Sequence, residues 1–401
     1  MKKWFLVLCY TLVILIFSGC WSNTEPKELE ISESVLYDIT DSGKYKITVE
    51  VKDTTLQTQG SSEGESINIT SGEGDTIPEA IRDRSKNMEK RLFGAQNKVR
   101  FYSDEFYRVA DLSSVLDSTA RDNLTYETPF MVIIKSKDPD LLYTADTGLS
   151  GSVGEYIDNL SKTQQEYSAG SVFVTTLDVI KDYYSEGIQP VMGVVEIVAD
   201  DEDTQKLSTN LSQAAQSSSS SKFKIKYEGL AAFKDEKLVG YLDKLETASF
   251  NMLTNNIKST YTSTLVEDNV VSLKLQNCKS DIKTSIKNGE VTIDLTIDVD
   301  LNIAGVSGTL DVNEKAAIKK VEQNFNKQTE IELMSVINKA QDEFSSDIFG
   351  FGNYVHSQHP EKWKEIKANW DDCFSKAKVN IEITSSVIHL GEIKGTMSTE
   401  D

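Results

Sequence analysis

Histidine is scarce: the 401 residues hold three, His356, His359 and His389, so a triad or a His-based acid and base would need a distant pairing that no spacing suggests. Basic charge is short as well. Lys and Arg number 42 against 63 Asp and Glu, a net charge of -21. That balance disfavours a phosphate backbone, because nucleic-acid affinity comes largely from cationic side chains displacing counterions. Nucleic acid is not expected as a partner, and neither is broad adsorption of the folded surface to anionic headgroups. Cysteine is sparse, four in all, of which only Cys278 and Cys373 fall in the part read as folded. They read as free thiols, with a pairing left open. No hydrophobic run after the N-terminus is long enough to span a bilayer. The glycine-rich pieces, 60–74 and 148–154, match neither a Walker nor a dinucleotide pattern and read as loops.

What is present is a chain with 39% hydrophobic and 26% charged residues, enough to bury sizeable cores in two or three domains. It opens with Lys2 and Lys3, then an almost wholly apolar stretch from Trp4 to Phe17, the length of a signal-peptide core rather than a spanning helix. Ser18, Gly19 and Cys20 follow. Small residues before a cysteine are the pattern of bacterial lipoprotein processing, in which the thiol takes the diacylglyceryl thioether. The third position before the cysteine is Phe17, where Leu is usual. Residues 1–19 are read as a lipoprotein signal peptide and Cys20 as the lipid attachment site, so membrane association is expected through an anchor.

The rest reads as α+β or mixed α/β in three domains, each a mixed or antiparallel sheet packed with helices. The N-terminal domain is placed at 20–137, the middle one at 138–247 with a Ser-rich loop at 212–221, the C-terminal one at 248–395, and a tail at 396–401. In the first, alternation predicts a strand over 44–51, a loop over 57–75, and a helix from a Thr76 cap with Pro78 in its first turn to about Leu92. A short strand at 99–102, a helix at 104–118 and a buried strand at 129–135 follow. In the second, helices are predicted over 154–165 and 175–184 and a strand over 190–198. A hairpin, 223–233 with 237–242, is expected to join that strand. The third has the clearest pattern. Val291, Ile293, Leu295, Ile297, Val299, Leu301 and Ile303 alternate with polar residues, and Asn288-Gly289 turns this strand back on 279–286. An amphipathic helix is predicted over 312–345, a second over 360–376, and a last strand over 379–390 completes a sheet taken as antiparallel.

Reactive constellations are not found. His356 and His359 have an H-x-x-H spacing but no Glu or Cys to complete a tetrahedral site, and Asp294, Asp298 and Asp300 stand apart along a strand face, so no metal, cofactor or catalytic residue is assigned. Asp347-Ile348-Phe349-Gly350-Phe351-Gly352 differs in kind. Two aromatics alternating with two glycines make a defined helix exit, with Gly350 in the left-handed region and Phe349 and Phe351 packed towards Trp363 and Trp370.

That run, with Pro360, Trp363-Lys364 and Trp370, resembles the C-terminal domain of the GerC-type spore germination lipoproteins, the C subunits of nutrient germinant receptors. Cys20-Trp21 with Glu28-Leu29, Gly229-Leu230-Ala231-Ala232-Phe233 and Leu238-Val239-Gly240-Tyr241-Leu242 are similar to further parts of that family. The segment Ile31 to Tyr37 departs from it, being less apolar than the family tends to be. The resemblance implies a non-enzymatic lipoprotein of three α/β domains on the outer face of the spore inner membrane, beside membrane-embedded A and B subunits and required for nutrient-triggered germination. It assigns no catalytic residue, so Cys20 alone carries a chemical role. The alternatives are a solute-binding lipoprotein of a transporter, which needs a two-lobed fold with an aromatic-lined cleft, and a cell-wall hydrolase, which needs a paired acid and base or a metal centre.

Overall fold

The computed structural model of the chain describes residue 4 and residues 28–53, 66–86, 88–121, 126–199 and 223–389. Cys20 and the Ser-rich stretch 212–221 lie outside the described residues. Among the described residues the architecture is α+β, two sheets packed with helices.

Among the described residues the first sheet has nine strands: β1 (Leu29–Ile39), β2 (Tyr45–Asp53), β3 (Ser66–Gly74), β4 (Arg91–Phe93), β5 (Val99–Ser103), β6 (Phe130–Lys135), β7 (Val191–Ala199), β8 (Phe223–Lys234) and β9 (Lys237–Leu242). They run in the order β3-β2-β1-β5-β6-β7-β8-β9, with β4 beside β1. The centre, β1-β5-β6-β7, is parallel, and the pairs on either side are antiparallel. A strand buried on both faces cannot alternate, which is why β6 reads as an unbroken apolar run. Because β6 pairs with β7, strands from both sides of position 137 share one sheet. Its helices are α1 (Ile77–Ser85), α2 (Phe106–Val109), α3 (Leu112–Arg121), α4 (Val153–Tyr167) and α5 (Thr176–Tyr184).

After α6 (Lys244–Leu253) comes the second sheet, β10 (Ser259–Val266), β11 (Asn269–Lys287), β12 (Glu290–Ser307) and β13 (Lys378–His389), in that order. The long helix α7 (Lys315–Lys339) and the short α8 (Phe351–Gln358), α9 (Pro360–Ile366) and α10 (Trp370–Ser375) lie between β12 and β13. Helix α7 buries Ala317, Val321, Phe325, Thr329, Leu333 and Ile337 along one stripe. One contiguous core runs from Met131 and Ile133 of the first sheet, through the hairpin β8-β9, to Leu295 and Ile297 of the second.

Several expectations need correction. Residues 66–74, read as loop, form β3. Its glycines serve packing, since a Cβ on Gly72 would lie 2.3 Å from the Arg84 backbone nitrogen of α1, so small residues let the helix lie against the strand. Helix α1 stops at Ser85 rather than Leu92, and the helix expected over 104–118 breaks at Ala110, whose backbone is extended with ψ of 144°. The run 312–345 is α-helical over 315–339, continues as a π-turn over Ala340–Phe344 and closes at Ser345, with φ of 49°, rather than at Gly350. Residues 360–376 are two short helices joined by a 3-10 turn. Finally, β13 runs parallel to β12, so the second sheet is mixed. Reaching the far end of β12 to start β13 in the same direction is what the helical crossover provides.

Candidate functional site around Asp347

The helix exit, the hairpin and the tryptophan stripe meet at one seam between the two sheets. Asp347 is its buried centre, with no exposure. Its carboxylate accepts from the backbone N–H of Phe351 at 3.1 Å and of Gly352 at 2.8 Å, and from Trp370 Nε1 at 3.0 Å. Burial pushes this carboxyl up to about 6, against the downward pull of those donors, which favour the ionised form. Gly350 sits at φ of +76° immediately before α8. Its left-handed turn brings the first amides of α8 back over the carboxylate, so Asp347 serves that helix start as an N-terminal acceptor.

Aromatic rings fill the space behind it. Phe349 and Phe351 have ring centroids 5.2 Å apart, Trp363 and Trp370 5.2 Å, and Trp370 and Phe374 6.4 Å. Phe351 lies 6.2 Å from Phe374, so the two phenylalanines reach Trp370 through Phe374 rather than by stacking on the tryptophans themselves.

From the first sheet's side, the loop after α5 closes the seam. Gln189 N–H donates to the Asp347 carbonyl at 2.9 Å, Asn353 N–H to the Gly187 carbonyl at 3.1 Å, and Ser346 Oγ to the Phe233 carbonyl at 2.6 Å. Lys367 pairs with Glu186 at 2.8 Å and Lys234 with Asp371 at 3.5 Å. Gly240 of β9 lies under Phe344, where a Cβ would come within 2.4 Å of the ring. A cleft of about 610 Å³ opens beside Asp347, between the hairpin turn at Asp235 and Glu236 and the turn at Lys367. The arrangement offers acceptors and packed rings, and on the cleft wall the Tyr183 hydroxyl donates to Glu236 at 2.9 Å. What it can do is join the two sheets through hydrogen bonds and ion pairs.

Gly187, Ile188 and Gln189 were not singled out from sequence. The glycine and the following Pro190 mark a turn, but nothing in their spacing shows what the turn touches.

The other candidates are dispersed. His359 Nε2 sits 2.7 Å from the Thr284 carbonyl, while His356 stacks on Trp363 with centroids 5.7 Å apart. Asp294 and Asp298 lie directly opposite Lys283 and Lys279 across β11-β12, and Asp300 accepts from Asn277 Nδ2 at 2.9 Å, so the acidic row is matched by cross-strand cations and an amide. No cluster of metal-ligating residues occurs among the described residues. Cys278 and Cys373 are free thiols. Among the described residues no helix is long and apolar enough to cross a membrane.

Residues 22–197 match the family described as spore germination protein N-terminal domain, and residues 228–391 that described as spore germination B3/GerAC like, C-terminal. Two proteins of Bacillus subtilis (strain 168) are similar over nearly the whole chain. Spore germination protein B3 is 22% identical over 391 residues, covering 95% of this chain and 96% of its own. Spore germination protein KC is 24% identical over 383 residues, covering 92% and 91%. The crystal structure of the GerBC protein superposes with a TM-score of 0.56 at 17% identity, covering 88% of this chain and 96% of that one, which shows a shared fold.

Proposed function

We propose, because this chain belongs to the spore germination B3/GerAC-like family, that it is a non-catalytic lipoprotein subunit of a spore germinant receptor. In this reading acylated Cys20 holds it on the outer face of the spore inner membrane, where it works beside membrane-embedded A and B subunits and is required for nutrient-triggered germination. The observation that carries the reading is the match of both family regions, 22–197 and 228–391, in order along one chain. The seam supports it: a hydrogen-bonded joint between two sheets suits a subunit that transmits contact between partners. The segments 20–137, 138–247 and 248–395 are proposed as successive units of the chain, the first two contributing to one sheet and the third carrying the other. Two or three acyl chains on Cys20 suffice for stable anchoring, since each buried methylene contributes about 0.8 kcal/mol.

The test is germination of spores with the gene deleted or encoding Cys20→Ala, scored by loss of optical density and release of dipicolinate, with a receptor-independent germinant as control. Loss of the response to one nutrient class, with the control intact and Cys20→Ala impaired, supports the reading. A normal nutrient response after removal of parallel receptor operons refutes it and brings the solute-binding alternative forward.

A further inference from the structure

A second cleft, of about 650 Å³, opens over the first sheet between α1 and α3. Its walls are mostly apolar, built from Tyr37, Tyr45, Ile77, Pro78 and Ile81. Arg100 of β5 also lines it and is 2% exposed. One terminal nitrogen of its guanidinium donates to Thr176 Oγ1 at 3.0 Å and the other to the Tyr126 carbonyl at 2.9 Å. Both acceptors are neutral. Among the described residues no carboxylate pairs with Arg100, whereas Arg84, at 3% exposure, pairs with Glu30 at 3.2 Å. A guanidinium has five N–H donors, and a buried cation without a counter-charge is strongly disfavoured. An anion arriving in the cleft would relieve that.

The remaining charges select which anion. Asp117 and Asp75 also line the cleft. Asp117 is engaged by Arg121 Nε at 2.8 Å, and Asp75 adds a negative charge. With Asp117 taken up by Arg121, Arg100 faces Asp75 alone; a bound monoanion brings the cleft to a net charge of -1 and a dianion to -2, so the smaller charge is the one favoured. Planar carboxylates match the guanidinium fork, and the aromatic walls favour an apolar body.

We propose that this cleft binds a small monocarboxylate with an apolar or aromatic body, its carboxylate on Arg100 and its body against Tyr37, Tyr45 and Ile81. The proposal stands independently of the receptor reading. The full-length chain in detergent is titrated into 4-fluorobenzoate and, separately, into 4-fluorobenzamide, and line broadening is followed by fluorine NMR, with inorganic phosphate as competitor. Saturable broadening of the carboxylate is expected, at least tenfold weaker for the neutral amide and not reversed by equimolar phosphate. Ile81→Trp, at a position 38% exposed, fills the cleft without touching the buried cation and should weaken binding at least tenfold, as should Arg100→Gln if it folds. Absence of saturable broadening overturns the proposal, as does unchanged binding in Ile81→Trp or equal binding of the amide. Displacement by equimolar phosphate overturns the monocarboxylate assignment.

Discussion

Gly187 and Gly352 meet backbone to backbone: a Cβ on Gly187 would lie 2.4 Å from the Gly352 carbonyl carbon, and one on Gly352 would lie 2.7 Å from Gly187 Cα. The nearest atoms in the way are main chain, which cannot swing aside as a flexible side chain can. Gly352 is helical, and its requirement for glycine is steric rather than conformational. Gly352→Ala should destabilise the protein by about 1–3 kcal/mol, the range for overpacking, read as a lower midpoint in urea. An unchanged midpoint would mean that the two bodies separate freely there.

Gly289 provides the comparison. It has φ of +84° with nothing within 4 Å of where a Cβ would sit, and follows Asn288 at φ of 53° in the β11-β12 turn. Gly289→Ala therefore meets only backbone strain, about 1 kcal/mol. Both variants measured in the same denaturant series should rank Gly352→Ala below Gly289→Ala.

The sign of the pH dependence at Asp347 follows from its raised pKa. The folded state holds this proton more tightly than the unfolded chain, so the contribution is fully present below the ordinary value of 3.8 and is lost as pH rises through about 6. Other carboxylates titrate in the same window, so the informative quantity is wild type minus Asp347→Asn. That difference should fall by up to about 3 kcal/mol between pH 4 and 7, at 1.36 kcal/mol per pKa unit. Urea unfolding of both proteins across that range checks it; a flat difference would show that the three N–H donors fully offset burial.

Glu50 links distant segments in the same manner. Its carboxylate accepts from Val153 N–H at 2.7 Å and Gly154 N–H at 3.0 Å, at the start of α4, and from Ser34 Oγ at 2.7 Å. Burial, the largest influence, pushes its pKa up. Glu50→Ala strands two buried amides and should cost about 2–6 kcal/mol, at about 1–3 kcal/mol for each unsatisfied group. Glu50→Gln keeps an acceptor and should cost less. Thermal unfolding of the two variants side by side tests the order.

These buried polar pairs also explain what the sequence concealed. Strand β6, the β8-β9 hairpin and β12 were legible because their apolar residues keep a strand's period or run unbroken. Strand β1 was not, because Ser32, Glu33 and Ser34 are buried in it, with Ser34 on Glu50 and Ser32 accepting from Asn97, and such residues break alternation. The first half of β11 was hidden by an irregularity between Gln276 and Lys279, where Asn277 has φ of 48° and the buried face shifts from Leu275 to Ser280. At the seam, the aromatic corner was visible as a motif. Its contact with Gly187 and Gln189 joins segments far apart along the chain, which no local spacing encodes.

The two thiols offer a chemical check on the second sheet. Burial pushes Cys278 up to about 12, and Cys373 rises as well, with burial first and Asp372 adding to it. Alkylation proceeds through the thiolate, whose population at pH 8 falls tenfold for each unit of pKa. Cys278 should therefore resist iodoacetamide at pH 8 in the folded protein and react once urea unfolds it. Cys373, on α10, should be modified first, and since both are free, non-reducing mass analysis should find Cys278 and Cys373 each alkylatable. Rapid modification of Cys278 under native conditions would mean that β11 opens around Asn277 on the timescale of the reaction, making that irregularity a point of local unfolding in the longest strand of the sheet.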